Sequence, residues 1–158
     1  MQSRPAPILM RKDLDAADAA APPGFPAGVH VVPFDPALHA CAAYALLAAA
    51  HPDRCEGFDG WWGALSSDAE YDPETFFIAI DGAGDIAALA ICWSVPFVKD
   101  LVVAPAWRCR GLSAALMRHA FAWFAQRGHR HVGLKVDSDN PYNARALYRR
   151  LGMLEVTS

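Results

Sequence analysis

The chain has 158 residues, of which 54% are hydrophobic and 20% are charged, and its formal net charge is −3. This length matches one globular domain, the apolar content argues against a disordered chain, and the net acidity disfavours nucleic acid as the main partner. The longest apolar stretch without a charge, residues 86–98, is shorter than the roughly 20 residues of a membrane span. The N-terminus also lacks the apolar centre of a secretion signal, so we expect a cytoplasmic protein with no membrane partner.

Cysteine and histidine are scattered along the chain. The four cysteines stand singly, without a C-x-x-C pair: Cys41, Cys55, Cys92 and Cys109. No pair of the six histidines has the i, i+4 spacing of a metalloprotease helix. The pattern predicts reduced thiols and no metal site.

Prolines and glycines divide the chain near its N-terminus. Residues 15–28 hold three prolines and two glycines among alanines, a composition that predicts a linker. We therefore expect an N-terminal extension over residues 1–28 and one domain over residues 29–158.

Within that domain, short strands and helices follow one another. After a strand at 30–33, Asp35 and Pro36 form a helix start, Pro52 ends that helix, and a second helix covers 58–65. The remaining predicted elements are strands at 76–80, 86–94 and 97–103, a helix from Leu112 to Gly128, a strand at 131–136, a helix ended by Gly152, and a strand at 153–156. Strands and helices alternate only in the second half, which favours an α+β fold with a mixed sheet.

A basic loop precedes the helix that begins at Leu112. Gly111 allows close backbone approach, Ser113 is small, and Arg108 and Arg110 can form charge-assisted hydrogen bonds. A helix N-terminus after such a loop suits an anion such as phosphate. The loop lacks the P-loop and dinucleotide patterns, which disfavours nucleoside triphosphates and NAD. A basic loop without a ligand is the alternative interpretation.

Two motifs in the second half resemble those of one family. They are V-x-P-x-x-R-x-x-G-x-S at 103–113 and N-P-Y-N-A-R-A-L-Y-R-R-L-G-M at 140–153. Together they resemble the GNAT acyltransferase superfamily, and the likeness covers roughly residues 29–156. It implies a central mixed sheet flanked by helices and splayed at the acyl-CoA site. Ser113 stands where the family usually has glycine or alanine.

The resemblance implies acetyl-CoA as cosubstrate, no metal, and transfer of the acetyl group to a small-molecule amine. The pantetheine arm would pair with the backbone of Leu101, Val102 and Val103. The pyrophosphate would lie within the loop formed by Arg108, Cys109, Arg110, Gly111, Leu112 and Ser113. A family asparagine that contacts CoA corresponds to Asn140 or Asn143, although a helix N-cap also explains Asn140.

The resemblance places Tyr148 near the thioester sulfur, where a phenol can donate a proton to the departing thiolate. The alternative interpretation of Tyr148 is a tyrosine whose ring packs in the core and whose hydroxyl contacts solvent. Asp100 is the nearest acidic candidate for the general base, although a solvated carboxylate paired with Lys99 explains it too. Its rivals are Asp53, Glu56 and Asp59.

Aromatic and acidic residues suggest an acceptor pocket. Its walls could be Trp61, Trp62, Trp93 and Phe97, although core packing would use many of them. Asp137 is a further candidate contact, and it shares a sheet face with Lys135.

Two other functions remain open. One is a non-catalytic acyl-CoA binding module, since no general base is certain. The other is nucleic-acid binding, which ranks last because the chain is acidic. It would use the arginines Arg108, Arg110, Arg127, Arg130, Arg145, Arg149 and Arg150.

The two ends of the chain complement each other. After Met153, the last five residues are too few for the final β-hairpin of the family. Residues 6–14 resemble the closing strand and exit segment found between the halves of tandem members similar to mycothiol synthase. We expect residues 7–12 to add to the sheet edge beside residues 154–156, within the chain or by strand exchange in a homodimer.

Overall fold

The computed structural model describes residues 6–20, 24–53, 56–137 and 144–156. Its strands are β1 (Ile8–Asp13), β2 (His30–Val32), β3 (Phe76–Ile80), β4 (Ile86–Trp93), β5 (Phe97–Val103), β6 (His131–Val136) and β7 (Leu154–Glu155). Its α-helices are α1 (Ala16–Ala20), α2 (Pro36–Ala50), α3 (Gly57–Ser66), α4 (Leu112–Gln126) and α5 (Ala144–Arg150). Single 3₁₀ turns cover Pro73–Thr75 and Pro105–Trp107.

All seven strands form one mixed sheet in the order β2-β3-β4-β5-β6-β1-β7. Every pairing is antiparallel except the parallel pairing of β5 with β6. The predicted α+β fold with a mixed sheet is confirmed.

Helices cover both faces of the sheet, and each face has its own apolar core. Phe77 and Ala90 belong to the core that also holds residues of α4 and α5. Their neighbours Phe76 and Leu89 belong to the core that holds residues of α2 and α3. This alternation follows from the two-residue period of a strand, and it leaves β3 and β4 buried on both sides.

The start of α2 shows how local sequence sets an element. Asp35 is extended, and its carboxylate accepts a hydrogen bond of 3.0 Å from the backbone N–H of Ala37. Pro36 occupies the first turn, where a missing N–H costs nothing. The predicted helix start is confirmed.

The predicted linker at 15–28 is wrong in part, because it contains α1. Asp15 and Asp18 cap this helix reciprocally, each backbone N–H donating to the other carboxylate at 3.0 Å. Asp18 also lies 3.3 Å from the ammonium of Lys12, and the Gln126 side chain donates to Ala19 O at 2.8 Å. Alanines give no apolar stripe, so these polar contacts hold α1 against β1 and α4.

The N-terminal strand β1 is an internal strand of the sheet. It pairs along its whole length with β6, from Ile8 opposite Val136 to Asp13 opposite His131. On its other side, Met10 and Arg11 pair with β7. The expected position of this strand beside residues 154–156 is confirmed. The edge position expected for residues 7–12 is wrong, because β7 is the outer strand.

Candidate functional site

The sheet opens between β5 and β6. Phe97 pairs with Gly133 and Val98 with Leu134, and no later pair joins the two strands within the described residues. The N–H of Gly133 also donates to Pro96 O at 2.9 Å, so the strands are joined at one end and diverge toward the other. The splayed sheet that the resemblance implied is confirmed.

A β-bulge bends β5 at this opening. Ile91 pairs with Asp100 and Cys92 with Val98, so Lys99 is an extra residue in β5. After the bulge, residues 101–103 pair regularly with β4. Their backbone groups that point away from β4 face the opening, where an extended ligand can pair with them.

The loop before α4 forms a second half of the site. Gly111 is the N-cap of α4 with a φ of 77°, and no side chain caps the helix. Cys109 is also in the left-handed region, with a φ of 62°. The first N–H groups of α4 are therefore left without a side-chain acceptor, at the positive end of the helix dipole. This arrangement is suited to an anion.

The side chains of this loop have distinct environments. Arg108, Cys109 and Arg110 are exposed, and the Arg110 guanidinium stacks 4.9 Å from the ring centroid of Trp107. The stack holds one cationic group beside the helix N-terminus. Leu112 is 1% exposed and packs in the core, so only its backbone is presented to a ligand.

Tyr148 lies on α5 and is 9% exposed. Its ring belongs to the same apolar core as the half-buried side chains of Leu101 and Val103. Burial raises the pKa of the Tyr148 phenol, so the hydroxyl keeps its proton at neutral pH. A proton donor on this side of β5 is chemically competent.

Asp100 has a side chain that is only 9% exposed. Its carboxylate accepts a hydrogen bond of 2.9 Å from Lys99 Nζ. Burial raises the pKa of the Cys92 thiol, and the negative charge of Asp100 raises it further. Asp100 is thus largely enclosed at the bulge and paired with Lys99, the partner that the alternative interpretation named.

A cavity of about 420 Å³ lies beside the bulge, between α3 and the neighbouring ends of β4 and β5. We call it the α3 groove, and its lining residues are Glu56, Gly60, Trp61, Ala64, Leu65, Asp68, Trp93 and Lys99. Two of the expected aromatic walls, Trp61 and Trp93, therefore line one cavity.

The other expected aromatic walls pack elsewhere. Trp62 contacts the rings of Phe34 and Tyr71, at centroid distances of 6.2 and 5.8 Å. Phe97 packs beside Gly133, where the Cβ of any larger residue would lie 3.6 Å from the phenylalanine ring. These two side chains belong to packing around the groove and not to its lining.

The remaining acidic candidates are dispersed. Glu56 lines the α3 groove, whereas the exposed Asp53 and Asp59 do not. Asp137 is exposed just beyond β6. Asn140 and Asn143 lie outside the described residues.

Sequence reasoning placed neither charged residue Asp68 nor Lys99 in the pocket. Asp68 lies four residues after Ala64, just beyond the end of α3, and this local spacing could have identified it. Lys99 faces the groove because of the bulge, for which the local sequence carries no signal.

Metal clusters and membrane-spanning helices are both absent from the part of the chain that the structure describes. It contains no group of three or more histidine, cysteine or acidic side chains placed to share a metal ion. None of its helices combines the length and apolar character needed to cross a bilayer.

Comparisons with known proteins agree with this geometry. The model of the Acetyltransferase (GNAT) family matches residues 39–153. The streptothricin acetyltransferase of Streptomyces lavendulae is 38% identical over 101 residues, which are 61% of this chain and 51% of that protein. The mycothiol acetyltransferase of Clavibacter sepedonicus is 35% identical over 130 residues, which are 79% of this chain and 42% of that protein.

A solved structure shares the fold. The GCN5-related N-acetyltransferase of Sphaerobacter thermophilus superposes with a TM-score of 0.83 at 28% identity, over 95% of this chain and 48% of that one. The chain belongs to the GNAT family of acetyltransferases. It spans about half the length of the two curated relatives, at 51% and 42%.

Proposed function

We propose that the protein is an acetyl-CoA-dependent N-acetyltransferase that acts on a small-molecule primary amine. The observation that carries this proposal is the opening between β5 and β6 beside the uncapped N-terminus of α4. One feature offers backbone groups to an extended arm, and the other offers N–H groups to a pyrophosphate. The two curated relatives are named for small molecules, streptothricin and mycothiol.

The cosubstrate would lie across both features. Leu101, Val102 and Val103 would pair through their backbones with pantetheine. Arg108, Cys109, Arg110, Gly111, Leu112 and Ser113 would surround the pyrophosphate, with Arg108 and Arg110 in charge-assisted hydrogen bonds. Asn140 and Asn143 remain candidates for a further CoA contact.

Transfer would proceed by direct attack. The amine, first deprotonated, forms a C–N bond at the thioester carbonyl while a backbone N–H within residues 101–103 stabilises the oxyanion. The C–S bond breaks and the CoA thiolate takes a proton from Tyr148, and the extra proton on the nitrogen passes to the resulting Tyr148 phenolate, which restores the phenol. We assign the general base to Asp100, the acidic side chain at the bulge.

The Tyr148→Phe variant tests the general acid. We expect it to retain its affinity for acetyl-CoA within a few fold and to lower kcat by roughly ten-fold to a thousand-fold, because only proton donation is lost. Because burial raises the pKa of this phenol, any fall of the wild-type rate from loss of this proton should lie at a higher pH than an ordinary phenol would give. Steady-state CoA release measures both effects, and an unchanged kcat would assign Tyr148 to packing.

The Asp100→Asn variant tests the general base. An amide cannot accept the proton of the incoming ammonium, so kcat/KM should fall most at neutral pH and recover in part as rising pH supplies the neutral amine. Rates measured across the neutral and mildly alkaline range decide the result. An unaltered pH profile with a higher KM for the amine would limit Asp100 to holding Lys99, and Glu56 would become the next candidate.

A further inference from the structure

One face of α3 is open along its length. Residues 56, 60, 64 and 68 follow at a spacing of four and line the α3 groove. The two middle positions are Gly60 and Ala64, which leave room for a ligand. Glu56 directly precedes α3 and Asp68 follows its end, so the two acidic residues flank the helix at the two ends of the groove.

The wall of the groove opposite α3 contributes an aromatic ring and a lysine that is paired with a carboxylate. Trp93, at the end of β4, is half-buried and lines the groove. Lys99 is the only basic side chain among the described lining residues, and its ammonium lies 2.9 Å from the Asp100 carboxylate. The groove therefore offers carboxylates and an indole face, the groups that hold organic cations.

Trp61 supplies an independent sign of a ligand. It lines the groove and is 4% exposed, and its ring packs 5.5 Å from that of Tyr44 and 5.9 Å from that of Trp62. Its indole N–H is buried and has no hydrogen-bond acceptor among the described residues. A buried donor without an acceptor is unfavourable, so a ligand oxygen that reaches it when the side chains around the groove adjust would stabilise the complex.

We propose that the α3 groove binds the acceptor and selects dicationic molecules, namely primary amines that carry a second ammonium or guanidinium group. This inference rests on the proposed function, because the groove lies next to residues 100–103, which would hold the thioester and the base. The reacting nitrogen must be neutral when it attacks, so it cannot form an ion pair with a carboxylate of the groove. A second cation can pair with Asp68 against Trp93, and a carbonyl or hydroxyl between the two nitrogens can accept from Trp61.

A matched pair of amines tests the selection. With acetyl-CoA, we expect kcat/KM for 1,6-diaminohexane to exceed that for hexylamine at least about ten-fold, measured by thiol detection of released CoA. Asp68→Asn should remove most of this difference by raising KM for the diamine. An asparagine oxygen can still accept the 2.8 Å hydrogen bond from the Glu70 N–H, so the loop is preserved. Asp85→Asn, in the exposed turn between β3 and β4, should leave kcat/KM unchanged for both amines.

Two further variants test the shape and the orphan donor. Ala64→Leu fills the groove and should lower kcat/KM for the diamine at least about ten-fold, whereas Ala64→Ser should change it little. Trp61→Phe keeps an aromatic ring, although a smaller one, and removes the N–H. It should reduce kcat/KM for lysinamide, which has a carbonyl, more than that for 1,6-diaminohexane.

The outcomes separate this inference from the proposed function. Equal use of both amines by the wild type, or an unchanged ratio in Asp68→Asn, overturns the dicationic selection while CoA release still supports the transferase. If neither amine releases CoA, the transferase loses its support, and calorimetry with 1,6-diaminohexane alone decides on the groove. Binding that Asp68→Asn weakens supports a cation site, and absence of binding overturns it.

Discussion

Gly111→Asp is expected to abolish the rise in melting temperature that acetyl-CoA gives to the wild-type protein. A ligand that binds only the folded state stabilises it by mass action, so the shift reports cosubstrate binding. The aspartate places a carboxylate at the N-cap of α4, where the proposed pyrophosphate needs the N–H groups and the positive end of the helix. Thermal unfolding with and without millimolar acetyl-CoA measures the effect.

Gly111→Ala is the matched control. The φ of 77° strains any side chain, at a cost of about 1–2 kcal/mol, but a methyl group at this position meets no atom within 4 Å. The alanine variant should melt at a lower temperature and still respond to acetyl-CoA. A full response from Gly111→Asp would place the cosubstrate elsewhere.

Deletion of residues 1–14 should prevent stable folding. It removes β1 from the interior of the sheet, so that β6 and β7 lose their shared neighbour and Met10, which is 0% exposed, leaves the core. The uncovered edge of β6 would invite aggregation. Circular dichroism and size-exclusion chromatography of the truncated chain check this expectation.

Point variants of β1 make the same test in a graded form. Met10→Ala should lower the free energy of unfolding by about 2–5 kcal/mol, because it creates a cavity in a closed core. Leu9→Ala, at a neighbouring side chain that is 38% exposed, should cost much less. Equal, small losses for both variants would contradict the internal position of β1.

Local patterns predicted most elements well. Phe76–Ile80 was predicted residue for residue, because apolar residues on both faces of a strand end at a glycine turn. The Asp35–Pro36 pair defined the start of α2 for a similarly local reason. Ala16–Ala20 was missed, because its stability depends on Asp18 pairing with Lys12 and on docking against α4.

Features that depend on distant pairing could be predicted only in part: residues 7–12 were expected beside residues 154–156, and this pairing is found. The place of β1 between β6 and β7 requires the register of three strands from both ends of the chain. The bulge at Lys99 depends on a register shift against Cys92, and it turns Lys99 toward the α3 groove. The shape of the basic loop before α4 was predictable, because Gly111 and its arginines lie within a few residues of one helix start.

Product analysis tests the central claim most directly. The wild-type protein is incubated with acetyl-CoA and a panel of small primary amines, and mass spectrometry is used to follow the acetylated amine alongside released CoA. The account predicts one acetylated amine for each CoA released, at a rate that Tyr148→Phe lowers roughly ten-fold or more. Binding of acetyl-CoA without any acetylated product would contradict the account and identify a non-catalytic acyl-CoA binding module.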